Sequence, residues 1–180
     1  MIRNQKGFTL VEMMFSVGAS AMVAYAIFAA MSVTTNTFDA NNVRMTIQTS
    51  AREGLYRMIQ EIRESAASKV TINAAGDTIQ FYVPNSSSPV TAGYATNWGH
   101  QIQFSRGSGA NSTKIIRTDL TSNTTTVMAS DVTAVTFTGN AASSPTKVTA
   151  LMSVQRAMLN GRNVPATALQ ITGQAKLRNT

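Results

Sequence analysis

Between Phe8 and Val33 the chain reads FTLVEMMFSVGASAMVAYAIFAAMSV, a run of apolar and small residues interrupted by one charged side chain, Glu12. The part after that acid, residues 13–33, has 21 residues. As a helix rising about 1.5 Å per residue it reaches ~31 Å, close to the ~30 Å of a bilayer core. The run is therefore long enough to cross a membrane. Arg3 and Lys6 stand just before it, so the positive-inside rule places the start of the chain in the cytoplasm and the residues after Val33 on the other side.

Glu12 is the residue that most needs a reason. An acid at the centre of a membrane helix costs about 2.5–3.5 kcal/mol, and less toward the edge. A secretory signal fits the basic start, and Ala24-Tyr25-Ala26 offers it a small-residue cleavage site. Such a signal has no use for an acid, however, and its apolar region is usually only about 7–15 residues long. A plain single-pass anchor tolerates Glu12 near the interface without explaining it.

The 180 residues accommodate one modest head beyond the apolar run and exclude a large multidomain enzyme. Cysteine is absent, which rules out disulfides, thiolate zinc sites and thiol nucleophiles. The net charge of +7, from 15 basic and 8 acidic residues, falls to +5 without Arg3 and Lys6. The densest basic stretch, residues 52–64, is of mixed sign and reads as a solvated helix face, so a nucleic-acid partner is not indicated.

After the apolar run, TTNTFDANN (34–42) is polar and poor in helix formers, and predicts a weak point or bend. Ile47, Ala51, Leu55, Met58, Ile59, Ile62 and Ala66 then recur at spacings of three and four, which predicts an amphipathic helix with one buried stripe. Gly54 in that stripe suggests close packing. A helix continuous from Phe8 to Ser68 would be ~90 Å long. From Lys69 onward the period falls to two, and strands are expected at 69–73, 77–83, 100–105, 113–119, 126–138 with a break at Ser130-Asp131, 147–155 and 167–177. Turns are expected at AAGD, RGSGANS, TSNT, TGNAASSP and NGRN, and residues 84–99 as a long excursion carrying Tyr94 and Trp98.

The stretch KGFTLVEMM resembles the type III signal of type IV pilins and type II secretion pseudopilins. The resemblance implies that a prepilin peptidase cuts between Gly7 and Phe8 and methylates the new amine of Phe8. Gly7 presents no side chain to a protease cleft. Glu12 then has a purpose as an assembly residue, pairing with the Phe8 amine of a neighbouring subunit, where a wrong register leaves an unpaired charge. The implied fold is pilin-like α+β: a long N-terminal helix, transmembrane in its first half and amphipathic in its second, packed on an antiparallel β-sheet head. The implied organisation is a leader at 1–7, a transmembrane and assembly helix at 8–33, the exposed part of that helix at 34–68 and a β-rich periplasmic head at 69–180.

AREGLYRMIQEIRESA, TIQFYVP, HQIQFSRG, TKIIRTDL and the terminal KLRN are similar in order to features of the J-type minor pseudopilins and the W-type minor pilins. The first resemblance implies a subunit near the tip of a type II secretion pseudopilus, helping to initiate filament assembly and the export of folded proteins. The second implies priming of a type IV pilus for adhesion, motility or DNA uptake. Both imply the inner membrane as location. The implied partners are other minor and major pseudopilins or pilins, prepilin peptidase, the inner-membrane assembly platform and, for secretion, exported substrate. A reading from another class, a membrane-anchored enzyme or receptor, predicts an uncleaved start and a pocket of convergent polar groups.

No motif for hydrolysis, nucleotide binding or zinc chemistry is present, so neither catalysis nor a cofactor is expected. His100 is the only histidine and is expected to be structural or at the surface. Asp119, Thr121 and Asn123 have the 1-3-5 spacing of the first half of a calcium loop, but the Gly and closing Glu are missing, and a hairpin turn is the competing reading.

Overall fold

The computed structural model describes residues 7–85, 90–91, 94–95, 97–158 and 161–178. Helix α1 runs from Leu10 to Glu64, 55 residues. The chain divides into two compact units, one ending at Asn42 and one beginning at Val43. In the first unit no described residue is buried, and the helix presents Phe8, Leu10, Phe15, Met22 and Phe28 outward.

The helix assignment is unbroken through 34–42, where a weak point or bend is expected, and the boundary between the two compact units falls at the end of that stretch. The hydroxyls of Thr34, Thr35 and Thr37 donate to the carbonyls of Ala30, Met31 and Val33 at 2.8–2.9 Å. Bonding back to the previous turn satisfies these hydroxyls within the helix, an arrangement that slightly weakens helices and often bends them. The α-helix also stops before the expected Ser68. Ser65 N–H donates to the Ile62 carbonyl, and the Arg63 carbonyl accepts Arg178 N–H from the far end of the chain. A 3-10 turn at Ala67–Lys69 then leads into the head.

Among the described residues the head has ten strands: β1 (Val70–Ile72), β2 (Thr78–Pro84), β3 (Val90–Thr91), β4 (Tyr94–Ala95), β5 (Trp98–Arg106), β6 (Ile115–Asp119), β7 (Thr124–Ala129), β8 (Val132–Gly139), β9 (Lys147–Ala157) and β10 (Asn163–Lys176). They form a five-stranded sheet in the order β1-β2-β5-β6-β7, a three-stranded sheet β10-β9-β8 and the small pair β3-β4, with every pairing antiparallel. The break expected at Ser130-Asp131 is present, with Asp131 at φ 60°. Gly76 in AAGD and Asn123 in TSNT also have positive φ, the backbone state that turn residues of these types supply. The excursion at 84–99 contains the β3-β4 pair and ends where β5 begins at Trp98, which is half-buried; the side chain of Tyr94 lies outside the described residues. Strand β10 starts earlier than expected, at Asn163, because four residues between Val164 and Leu169 bulge out of register opposite Gln155, whose amide holds the Pro165 and Ala166 carbonyls.

Alternation decides which face is core. On β9, Val148, Ala150, Met152 and Val154 are buried and the residues between them are not. Ile79 and Phe81 on β2 meet Ile102 and Phe104 on β5, with the two phenylalanine rings 5.4 Å apart. The helix lays Ile47, Ala51, Gly54, Leu55, Met58, Ile59 and Ile62 on this core. Fully burying each large side chain contributes about 1.5–3 kcal/mol. The two sheets share the helix: Gly54 faces Met128 and Ala129 of β7, while Leu55 and Ile59 sit against Gly173 of β10. Arg117 of β6 adds a two-pronged bond to Glu61, at 2.8 and 3.2 Å.

Candidate functional site at the start of the helix

Helix α1 begins with a reciprocal cap. The Thr9 hydroxyl accepts the Glu12 backbone N–H at 3.2 Å. Glu12 Oε2 in turn accepts the Thr9 N–H at 3.0 Å and the Thr9 hydroxyl at 3.1 Å. Thr at the cap and Glu three residues later form the capping box, which satisfies backbone donors that the first turn leaves without partners. The acid also sits at the positive end of the helix dipole. Among the described residues the bonds of this carboxylate run through Oε2. Sequence reasoning singled out Glu12 and passed over Thr9, although the T-x-x-E spacing of Thr9 and Glu12 is itself the signal.

Gly7 and Phe8 precede this cap. Phe8 is 82% exposed. A Cβ added to Gly7 would meet nothing within 4 Å. Among the described residues no packing contact demands glycine at position 7. Arg3 and Lys6 lie outside the described residues. Behind the cap, α1 is the one helix among the described residues long and apolar enough to cross a membrane.

Residues 2–28 match the family described as the prokaryotic N-terminal methylation motif. The match supports a type IV pilin-like protein. No curated protein and no solved structure matches the chain. The motif implies processing by prepilin peptidase and assembly with other pilins, and with the apolar helix it fits a single-pass membrane anchor. The head observed beyond it, antiparallel sheets packed on the second half of one long helix, is consistent with the pilin-like α+β fold.

The other candidates fall at a distant hairpin. Asp119 closes β6, and its Oδ1 accepts the Thr121 and Ser122 amides at 2.9 and 3.1 Å. Its Oδ2 lies 2.7 Å from His100 Nδ1 at the start of β5, and the Thr121 hydroxyl accepts Gln101 N–H. Both carboxylate oxygens are thus engaged in a turn that ties β5 to the β6-β7 hairpin. Among the described residues no group of three or more His, Cys, Asp or Glu side chains is arranged for a metal ion.

Burial, the largest single influence on Asp119, pushes its carboxyl up, but the amide and hydroxyl of Ser122, the Thr121 amide and His100 together bring it to about 2, below the ordinary 3.8. The unfolded chain binds this proton more tightly, so the contribution to stability is complete above pH 3.8 and is lost as pH falls toward about 2. Asp77, lowered chiefly by Asn73, acts in the same sense, so the readout is the difference between parent and variant. Asp119→Asn is expected to flatten the pH dependence of the urea midpoint across this window. Parallel curves for parent and variant would remove the assigned role.

Proposed function

We propose that the protein is a structural filament subunit of the inner membrane, a minor pseudopilin near the tip of a type II secretion pseudopilus with its head in the periplasm. The observation that carries the reading is the methylation motif at 2–28 lying on a helix that buries none of its apolar surface up to Val33. An apolar face of that size needs lipid or neighbouring helices around it. Gly7, where no packing contact among the described residues demands glycine, is assigned to the peptidase: cleavage falls between Gly7 and Phe8, and the Phe8 nitrogen is methylated. Glu12 is assigned to assembly, with Oε2 on its own cap and the carboxylate's charge paired with the Phe8 amine of a neighbour.

A structural rather than catalytic role agrees with the hydrogen-bonded, hairpin-bound state of His100 and Asp119. The minor-pseudopilin assignment rests on the order of features along the chain, on the absence of cysteines to staple a C-terminal loop, and on Ala29 where major pilins often carry proline. Mass spectrometry of the N-terminal peptide tests the processing. The expected species starts at Phe8 and carries one added methyl group. A peptide starting at Met1, or after Ala26, would reject it. Deletion is expected to stop export of folded proteins and leave surface pili intact; the reverse phenotype would assign the subunit to a type IV pilus.

A further inference from the structure

Among the described residues the two larger sheets have four edges, and three are managed. β1 is three residues long. β7 meets the helix, with Gly54 seated against the Met128 carbonyl and Ala129. β8 is tied by Phe137 N–H to the Gly76 carbonyl and by Val132 N–H to the Thr113 carbonyl. The fourth edge, β10, hydrogen-bonds only β9. Its first half is disrupted by Pro165 and the bulge, two of the devices that stop a strand from pairing. From Leu169 to Lys176 it runs in unbroken register with β9, without proline or bulge, and no charge interrupts it before Lys176. That edge presents alternate N–H and C=O groups with no partner strand among the described residues.

Against this edge lies a notch of about 330 Å³ lined by Arg52, Leu55, Tyr56 and Ile59 of the helix and by Ile171, Thr172 and Gly173 of β10. Tyr56 is 65% exposed on its rim. Strand addition needs these two features together, main-chain groups for affinity and an adjoining pocket for a side chain. The charged residues that line the notch or stand on β10, Arg52 and Lys176, are basic. β9 and β10 contain no carboxylate, Lys176 stands directly across from Lys147, and among the described residues no ion pair or hydrogen bond is seen for the Arg52 side chain. Facing like charges destabilise a sheet, and an acidic neighbour removes that cost.

We propose that the β10 edge at Leu169–Lys176 is a docking site for an extended, acidic strand of another protein, which adds to the sheet and places an apolar side chain in the notch beside Tyr56. This goes beyond the filament reading and does not depend on it, since an open edge recruits a strand in any assembly.

The test uses the full mature chain in detergent micelles and three eight-residue peptides of alternating threonine and valine. One ends in glutamate at both termini, one in lysine, and one repeats the first with alternate amides N-methylated. Amide hydrogen exchange reports where each binds. The glutamate-ended peptide is expected to protect Leu169–Lys176 and to bind about fivefold or more tightly than the lysine-ended one, as two exposed ion pairs allow. The N-methylated peptide is expected to give no protection, and Arg52→Glu with Lys176→Glu to reverse the charge preference without changing the thermal transition. No binding by any peptide, protection elsewhere, or indifference to end charge would overturn the proposal. Protection of the same residues that rises with protein concentration in the absence of peptide would replace the acidic partner by a second copy of the chain.

Discussion

Glu12→Ala is expected to leave membrane insertion and cleavage at Gly7–Phe8 intact and to abolish crosslinking of the subunit to its filament partners. The span becomes more apolar and the cut site is unchanged, so the early steps lose nothing. Two things are lost afterwards. The cap loses its acceptor for the Thr9 N–H, a defect of about 0.5–2 kcal/mol in comparable caps. In the proposed pairing the neighbour's Phe8 amine also loses its counter-charge, which for a partner removed from a buried pair costs about 3–5 kcal/mol. The second loss is the larger. Glu12→Gln separates the two, because glutamine serves a capping box as glutamate does but carries no charge. It is expected to fail in assembly as the alanine variant does. Wild-type crosslinking by Glu12→Gln would reduce Glu12 to a helix cap, and uncleaved protein in either variant would assign the residue to the peptidase.

How much of this could be read from the letters depended on whether the cause was local. The methylation motif, the apolar run and the stripe from Ile47 to Ile62 are contiguous patterns, and the family match, the long helix and its buried residues fall on them. Turns at Gly76, Asn123 and Asp131 were readable because few residue types adopt positive φ. The end of the helix at Glu64 rather than Ser68 was not, since the Arg63 carbonyl accepts Arg178 N–H from the far end of the chain. Nor was the separation of β8, β9 and β10 into a second sheet. Strand period identifies faces but not partners, and Ala150 of β9 pairs with both Phe137 and Gly173 through contacts distant in sequence. At the candidate site the acid was found by its cost and Thr9 was missed because a hydroxyl in an apolar run costs little.

The largest effect expected in the head comes from one methyl group at Gly54. A Cβ built there stands 2.5 Å from the Met128 carbonyl oxygen and 2.8 Å from the Ala129 Cβ. Both neighbours are fixed to the β7 backbone, so no side-chain rotation makes room. Alanine gains about 1 kcal/mol in helix propensity over glycine, while forcing extra atoms into a packed core costs about 1–3 kcal/mol and occasionally more. The helix cannot relieve the contact alone: Leu55 and Ile59 on the next turn already sit 2.9–3.2 Å from the position a Cβ would take on Gly173. A shift away from β7 therefore disturbs the seat on the other sheet. Gly54→Ala is expected to be net destabilising by about 1–2 kcal/mol, and Gly54→Val by about 3 kcal/mol or more, since a β-branched residue adds bulk and surrenders most of the propensity gain. Ala129→Gly in the same molecule is expected to recover part of the alanine loss. It removes the Cβ contact and leaves the carbonyl contact, so the two substitutions couple without cancelling. Urea unfolding of the four species measures the cycle. A Gly54→Ala protein as stable as the parent, or energies that simply add, would show that the helix does not lie against β7 as closely as Gly54 permits.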